Sequence, residues 1–194
     1  HPRVRRQRQM CIRDSVYLST DVETGVVKSV TKNAGTIASI FGLEDEVKEK
    51  TAGFDERIEA LAEKAKGHTA LVGMTTSGSF NLMGNDGRCS IIGVEIGFDN
   101  LTAAESTSTY GNEASFETVV EKNPEYIFVM DRDQAIGADG AQTAKEIMEN
   151  ELVMQTDAYK NGKIIYLEHP AVWYTAEGGI TALDVMLSDL EESL

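Results

Sequence analysis

The chain has 194 residues, with 32 Asp or Glu against 18 Lys or Arg and a formal net charge of −14. So acidic a balance argues against a nucleic-acid backbone as partner. Hydrophobic residues at 41% rule out a disordered chain, two cysteines make no disulfide scaffold, and no run of about 18 apolar residues could span a membrane as a helix.

Residues 1–15 read HPRVRRQRQMCIRDS and hold five of the eight arginines. They could be read as a basic arm. The segment has no apolar stretch of the kind a signal peptide needs. It resembles a translated sequencing adapter, so it is expected to be non-native and is set aside with Cys11. Cys89 is then expected to be a small apolar filler.

Residues 16–21 predict a short strand. Apolar residues at Val26, Val27, Val30, Ile37, Ile40 and Phe41 predict an amphipathic helix over 25–41, stopped by Gly42. A longer helix is predicted over 43–66, from Leu43, Val47, Phe54, Ile58, Leu61 and Ala65 on one face. Acids in its first turn and lysines in its last suit the helix dipole, with Gly67 as C-cap. Beyond Gly67 short strands alternate with helices. Strands are predicted at 69–74, 80–83, 126–130 and 163–167, and helices at 90–97, 115–122, 141–152 and from Ile180 onward. This is an α/β pattern, a parallel sheet flanked by helices. Ligands of such folds meet the loops at the strands' carboxyl ends. Here those loops hold Thr75, Thr76, Ser77 and Ser79, then Arg132, then His169, Trp173 and Tyr174.

Nucleotide chemistry has no support, because neither GxGxxG nor GxxxxGK[ST] occurs. A nucleophile elbow is absent too, no carboxylate pair stands out, and no HExxH suggests a metal held by protein alone. No catalytic residue is therefore assigned. His68 is expected to cap a helix C-terminus and His169 to lie at the surface. Outside residues 1–15 the arginines are Arg57, Arg88 and Arg132. Arg57 has no acid three or four residues away and is expected to be solvated. Arg88 and Arg132 fall in loops beside sheet ends. Each could form a surface ion pair, Arg132 with Asp131 or Asp133. Together with Tyr110, Trp173 and Tyr174 they would also suit an aromatic anion.

The runs SFNLMGNDGR (79–88), STYGNEASFETVVEKNPEYIFVMDRD (108–133), DAYKNGKIIYL (157–167) and VWYTAEGGI (172–180) together resemble the substrate-binding proteins of bacterial ABC-type iron-siderophore importers, in particular those for ferric catecholates. The resemblance covers residues 16–194. It implies the class III periplasmic-binding-protein fold, in which two α/β lobes are joined by one long helix and the ligand lies between them. On that frame residues 16–42 are the tail of the first lobe, 43–67 the connecting helix and 68–194 the second lobe, so the chain is expected to be truncated at its N-terminus.

The resemblance further implies ligand-binding roles for Arg88, Arg132, Tyr110, Trp173 and Tyr174. Tyr174 would be an iron ligand when a siderophore leaves two sites open. Tyr110 stands where relatives usually carry histidine. It would either join Tyr174 on the iron, since tyrosinate is a hard ligand, or stack on a catechol ring. Glu117 would dock the permease. The expected protein is thus an extracytoplasmic, monomeric carrier, periplasmic or lipid-anchored. It would have no cofactor beyond its ferric cargo and no enzymatic activity, and would deliver a ferric siderophore to an ABC permease. Haem, a corrinoid and a hydroxamate siderophore remain alternative ligands for the fold. A phosphate-binding α/β enzyme fragment and a non-functional fragment are further alternatives. Two loop arginines favour a strongly anionic complex over a neutral hydroxamate one.

Overall fold

A computed structural model describes residues 16, 18–19, 25–104, 107 and 111–194. Half of the strand expected at 16–21 lies outside the described residues, as does Tyr110, and Val16, Leu18 and Ser19 are not in a strand. Helix α1 (Val26–Phe41) runs between Gly25 and Gly42, both at positive φ. Its first half is buried through Val26, Val27 and Val30, while Ile37, Ile40 and Phe41 are exposed.

The single rod expected over 43–66 is two helices, so the long connecting helix of the fold reading is corrected to an interrupted one. Helix α2 (Glu44–Thr51) buries no residue, and α3 (Phe54–Ala65) buries Phe54, Leu61 and Ala65. Between them Ala52 is extended and Gly53 turns to φ 90°. The apolar period runs through the break. Glycine, however, costs about 1 kcal/mol in a helix interior, and α2 has no buried side chain to hold the rod straight.

Strand β1 (Thr69–Thr76) then forms a hairpin with β2 (Ser79–Leu82) through Ser77 and Gly78, both at positive φ. A two-residue connection of this kind makes its strands antiparallel. Next come α4 (Ser90–Val94), β3 (Asp99–Asn100), β4 (Asn112–Glu113), α5 (Phe116–Lys122) and β5 (Tyr126–Asp131). They are followed by α6 (Arg132–Ala135), α7 (Ala144–Met148), α8 (Asp157–Lys160), β6 (Ile164–Tyr166), α9 (Pro170–Thr175) and α10 (Ile180–Ser193). The sheet order is β4-β2-β1-β5-β6, with β3 also on β1. β3, β5 and β6 join by parallel pairing, whereas β2 and β4 are antiparallel. The sheet is therefore mixed, not wholly parallel as expected, because the hairpin adds an antiparallel wing.

Both sheet faces are covered, and the pleat sorts the strand residues between them. Val72, Met74, Phe128 and Met130 pack with Leu61, Trp173, Leu183, Met186, Leu187 and Leu190. Leu71, Ile127 and Val129 pack on the other side with Phe80, Val119, Met148 and Val153. At Gly73 a Cβ would come within 2.4 Å of the Phe80 ring, so glycine lets the hairpin close on that ring. Two local expectations change. The helix expected over 141–152 is only α7, started by a Thr143–Glu146 capping box, and a 3₁₀ turn (Val153–Gln155) follows. The segment expected as a loop around Trp173 is helix α9, with Pro170 at its first position.

Arg57 is not solvated. Its guanidinium meets Glu191 at 2.7 Å, Asp184 at 2.6 Å and Ser188 at 3.0 Å, all on α10. Cys89 is buried at φ 61°, and burial pushes its thiol pKa well up, so it fills space as a neutral thiol.

Candidate functional site

The site begins where β1 and β5 end side by side, with Thr75 opposite Asp131. The Asp131 carboxylate accepts from the Gln134 N–H at 2.9 Å and the Ala144 N–H at 2.8 Å, which turns the chain sharply off the strand. Arg132 is thereby placed at the sheet's carboxyl edge. Its Nε donates to the Tyr174 hydroxyl at 3.1 Å, and one terminal nitrogen reaches Thr76 Oγ1 at 3.2 Å and Asp133 Oδ1 at 3.3 Å. Asp133 is buried. It also takes the Ser77 N–H at 2.7 Å and the Thr76 hydroxyl at 3.2 Å, so one carboxylate fixes the hairpin turn and the arginine together.

Arg88 reaches the same tyrosine. Its Nε donates to the Tyr174 carbonyl at 2.9 Å, and its guanidinium carbon sits 4.6 Å from the centre of the Tyr174 ring. The Arg132 guanidinium is 5.6 Å from that centre. Two permanent cations thus share one half-buried phenol ring at the strand ends. Behind them Glu177 accepts the Cys89 N–H at 2.7 Å. Burial pushes the Glu177 carboxyl pKa up, opposed by that N–H and by Arg88. Beside Arg132 opens a polar groove of about 410 Å³, lined by Thr76, Ser77, Ser79, Asn81, Glu113 and Arg132. The arrangement offers cations, hydroxyls and an aromatic face to a planar, oxygen-rich anion.

A model of the periplasmic binding protein family matches residues 15–171. The chain belongs to that family. Its members are binding proteins, not enzymes. Among curated relatives, the petrobactin-binding protein YclQ of Bacillus subtilis is 32% identical over 185 residues, covering 94% of this chain and 57% of the relative. The ferric-anguibactin-binding protein FatB of Vibrio anguillarum is 28% identical over 158 residues, covering 79% of this chain and 48% of the relative. This chain spans about half the length of the curated relatives it matches. Among solved structures, the periplasmic catecholate-siderophore binding protein VctP of Vibrio cholerae superposes with a TM-score of 0.86 at 26% identity, over 96% of this chain and 67% of that one. The YclQ crystal structure gives 0.82 at 31% identity, over 92% and 62%. The α/β fold expected from the sequence is the family's fold.

Of the residues singled out in the sequence, Arg88, Arg132 and Tyr174 converge as described. Trp173 does not join them, and its assignment to the ligand is corrected. It is fully buried, and its Nε1–H donates to Asp189 at 2.8 Å in the core. Neighbours on a helix are turned about 100° apart, so Trp173 enters the core while Tyr174 meets the arginines. Tyr110 lies outside the described residues. Glu117 is exposed in the first turn of α5 and does not line the groove. Its own N–H and the Ser115 hydroxyl hold its carboxyl pKa below the usual range.

Of the two acids flanking Arg132 in the sequence, Asp133 is the one that pairs with it, as a buried partner. Sequence reasoning missed Asn81, Glu113 and Glu177 as members of this neighbourhood. They arrive through strand register or distant packing, which leaves no local mark.

The two described histidines have structural partners. His68 meets Glu125 at 2.8 Å, and His169 meets Asp189 at 2.6 Å. Glu168, His169 and Asp189 place three possible metal-ligand atoms within 4.8 Å of one another. The Asp189 oxygens already take the Trp173 and His169 donors, so Asp189 acts as a clamp on α9.

Proposed function

We propose that this chain captures a ferric siderophore of the catecholate type outside the cytoplasm and hands it to an ABC permease. The observation that carries the reading is the pair of guanidiniums, Arg88 and Arg132, held over the Tyr174 ring at the carboxyl ends of the strands. A ferric catecholate presents several phenolate oxygens and flat rings, and this arrangement meets both features. The similarity to the petrobactin-binding YclQ, the ferric-anguibactin-binding FatB and the catecholate-siderophore binding protein VctP supports the same class.

Tyr174 would coordinate iron in complexes that leave sites open, and Tyr110 would be a second such ligand or a stacking partner. The iron is cargo, and no resident cofactor is invoked. Glu117, exposed at the start of α5, would dock the permease of the monomeric carrier. On the same reading residues 16–42 end a first lobe, α2 and α3 connect, and residues 68–194 form the second. The exposed Ile37, Ile40 and Phe41 suit a face meant to be packed against.

Titrating wild type and Arg132→Ala with a ferric tris-catecholate tests the reading. A charge-assisted contact is worth about 1.5–3 kcal/mol, so the variant should bind about ten- to hundredfold more weakly. Equal affinity in the two proteins, or equally tight binding of a neutral ferric hydroxamate by wild type, would overturn it.

A further inference from the structure

Arg88 lies in the turn that enters α4, next to Cys89, the N-cap of that helix. Cys89 sits in the left-handed region at φ 61°, where a residue with a Cβ is strained. Such strain persists only where the surroundings impose it. Two hydrogen bonds run from this turn to the C-terminal end of α9. Arg88 Nε donates to the Tyr174 carbonyl at 2.9 Å, and the Cys89 N–H donates to Glu177 Oε1 at 2.7 Å. The donors are adjacent in the chain and the acceptors three residues apart, so the bonds staple turn to helix end. The guanidinium beyond the staple lies 4.6 Å from the centre of the Tyr174 ring. Glu177 holds its place at a cost. Burial pushes its carboxyl pKa up and the like charge of Glu95 adds to the rise, while the Cys89 N–H and Arg88 oppose it. A strained backbone and a half-buried acid thus meet beside one ligand-facing arginine.

Building on the siderophore reading, we infer that Glu177 is a positioning residue for Arg88: by accepting the Cys89 N–H it fixes the turn that aims the guanidinium at Tyr174 and the ferric chelate. Glu177 does not line the groove beside Arg132, and it acts through Arg88. Without an acceptor at Glu177, Cys89 relaxes away from φ 61° and Arg88 loses its fixed geometry. The arginine must then be ordered when the ligand binds, which weakens affinity. A glutamine keeps the acceptor oxygen and removes only the charge.

The test titrates the full chain with a ferric tris-catecholate, as wild type, Glu177→Ala, Glu177→Gln, Arg88→Ala and the double variant Arg88→Ala/Glu177→Ala. Circular dichroism confirms that each is folded. Glu177→Ala should bind about tenfold more weakly, the low end for a lost charge-assisted hydrogen bond. Glu177→Gln should stay within about threefold of wild type, since an uncharged acceptor still closes the staple. In the Arg88→Ala background the second substitution should change nothing further, because nothing is left to position. A ligand-free readout accompanies the titrations and decides where the double variant binds too weakly to measure. Exchange of the Arg88 Nε–H with water, followed by NMR and assigned by its loss in Arg88→Ala, should be several-fold faster in Glu177→Ala than in wild type or Glu177→Gln. Unchanged affinity in Glu177→Ala, a glutamine variant as weak as the alanine one, or an equal loss in the Arg88→Ala background overturns this inference and leaves the siderophore reading intact. So does Arg88 exchange that is alike in all three proteins. A wild type that binds no ferric catecholate overturns the siderophore reading and, with it, the role of Glu177 in binding.

Discussion

Trp173 and Tyr174 are chain neighbours on one short helix, α9, and they serve opposite ends. Trp173 is sealed in the core, with its ring among Leu183, Met186 and Leu187 and its N–H on Asp189. Tyr174 is half-buried, with two guanidiniums near its ring. On the core face every polar atom named has a partner chosen to close it off. On the site face charge is gathered on an aromatic ring, in contact with a groove. The helix is thus a hinge pin between stability and recognition, and the two faces should respond differently to mutation.

The largest expected effect is on the core face. Trp173→Ala should lower stability by about 3–5 kcal/mol in urea denaturation, since it leaves a large cavity and an Asp189 robbed of a donor. Tyr174→Phe removes only the hydroxyl that accepts from Arg132, a loss of about 1 kcal/mol. It should nevertheless abolish any tyrosinate-to-iron absorption band formed with a tetradentate ferric catecholate. A Tyr174→Phe protein as unstable as Trp173→Ala would break the division between the faces.

Two arginines extend the comparison. Arg57 ends on two carboxylates and a hydroxyl of α10, and thus ties α3 to the last helix. Arg132 ends on a phenol, a threonine and one carboxylate beside the groove. Arg57→Ala should cost about 1 kcal/mol, because Asp184 and Glu191 are well exposed and the pair is screened. The loss should shrink in high salt, and affinity for a ferric catecholate should not change. A change in that affinity would place Arg57 in the recognition half and spoil the contrast.

Much of this molecule was legible in its sequence where the signal is local. The apolar periods of α1 and α10, the strands at the sheet centre and the bounds of α5 all stand close to where they were expected. Arg88, Arg132 and Tyr174 were marked by their place after strands or in loops. Failures came where distant residues decide. Arg57 finds its partners 127 and 134 positions away, so its own helix offered no hint of them. Trp173 was read as a loop aromatic because Pro170 was not recognised as a helix start, and because Asp189, its partner, lies in another helix. The break at Gly53 shows the converse, since an unbroken apolar period could not reveal that half the rod buries no side chain.

The smallest predicted effect concerns the clamp that holds both faces in place. His169 Nδ1 lies 2.6 Å from Asp189, which also holds the Trp173 N–H. The hydrogen bond and then the charge of Asp189 raise the histidine's pKa above its ordinary 6.5, with Glu168 and Glu192 adding to the rise. A raised histidine pKa stabilises the fold fully below about 6.5 and is lost as pH climbs through the higher, folded value. The half-buried Glu95 and Glu177 carboxyls, also raised, act in the same direction beginning from lower pH. Wild type alone therefore cannot separate the contributions, but His169→Gln can, because it keeps both glutamates and a neutral hydrogen-bonding side chain. The melting temperature of wild type should exceed that of His169→Gln near pH 6, and the gap should narrow toward pH 9. A gap that holds constant across this range would mean that the histidine contributes shape but no charge, and that α9 is pinned by the Trp173–Asp189 bond alone.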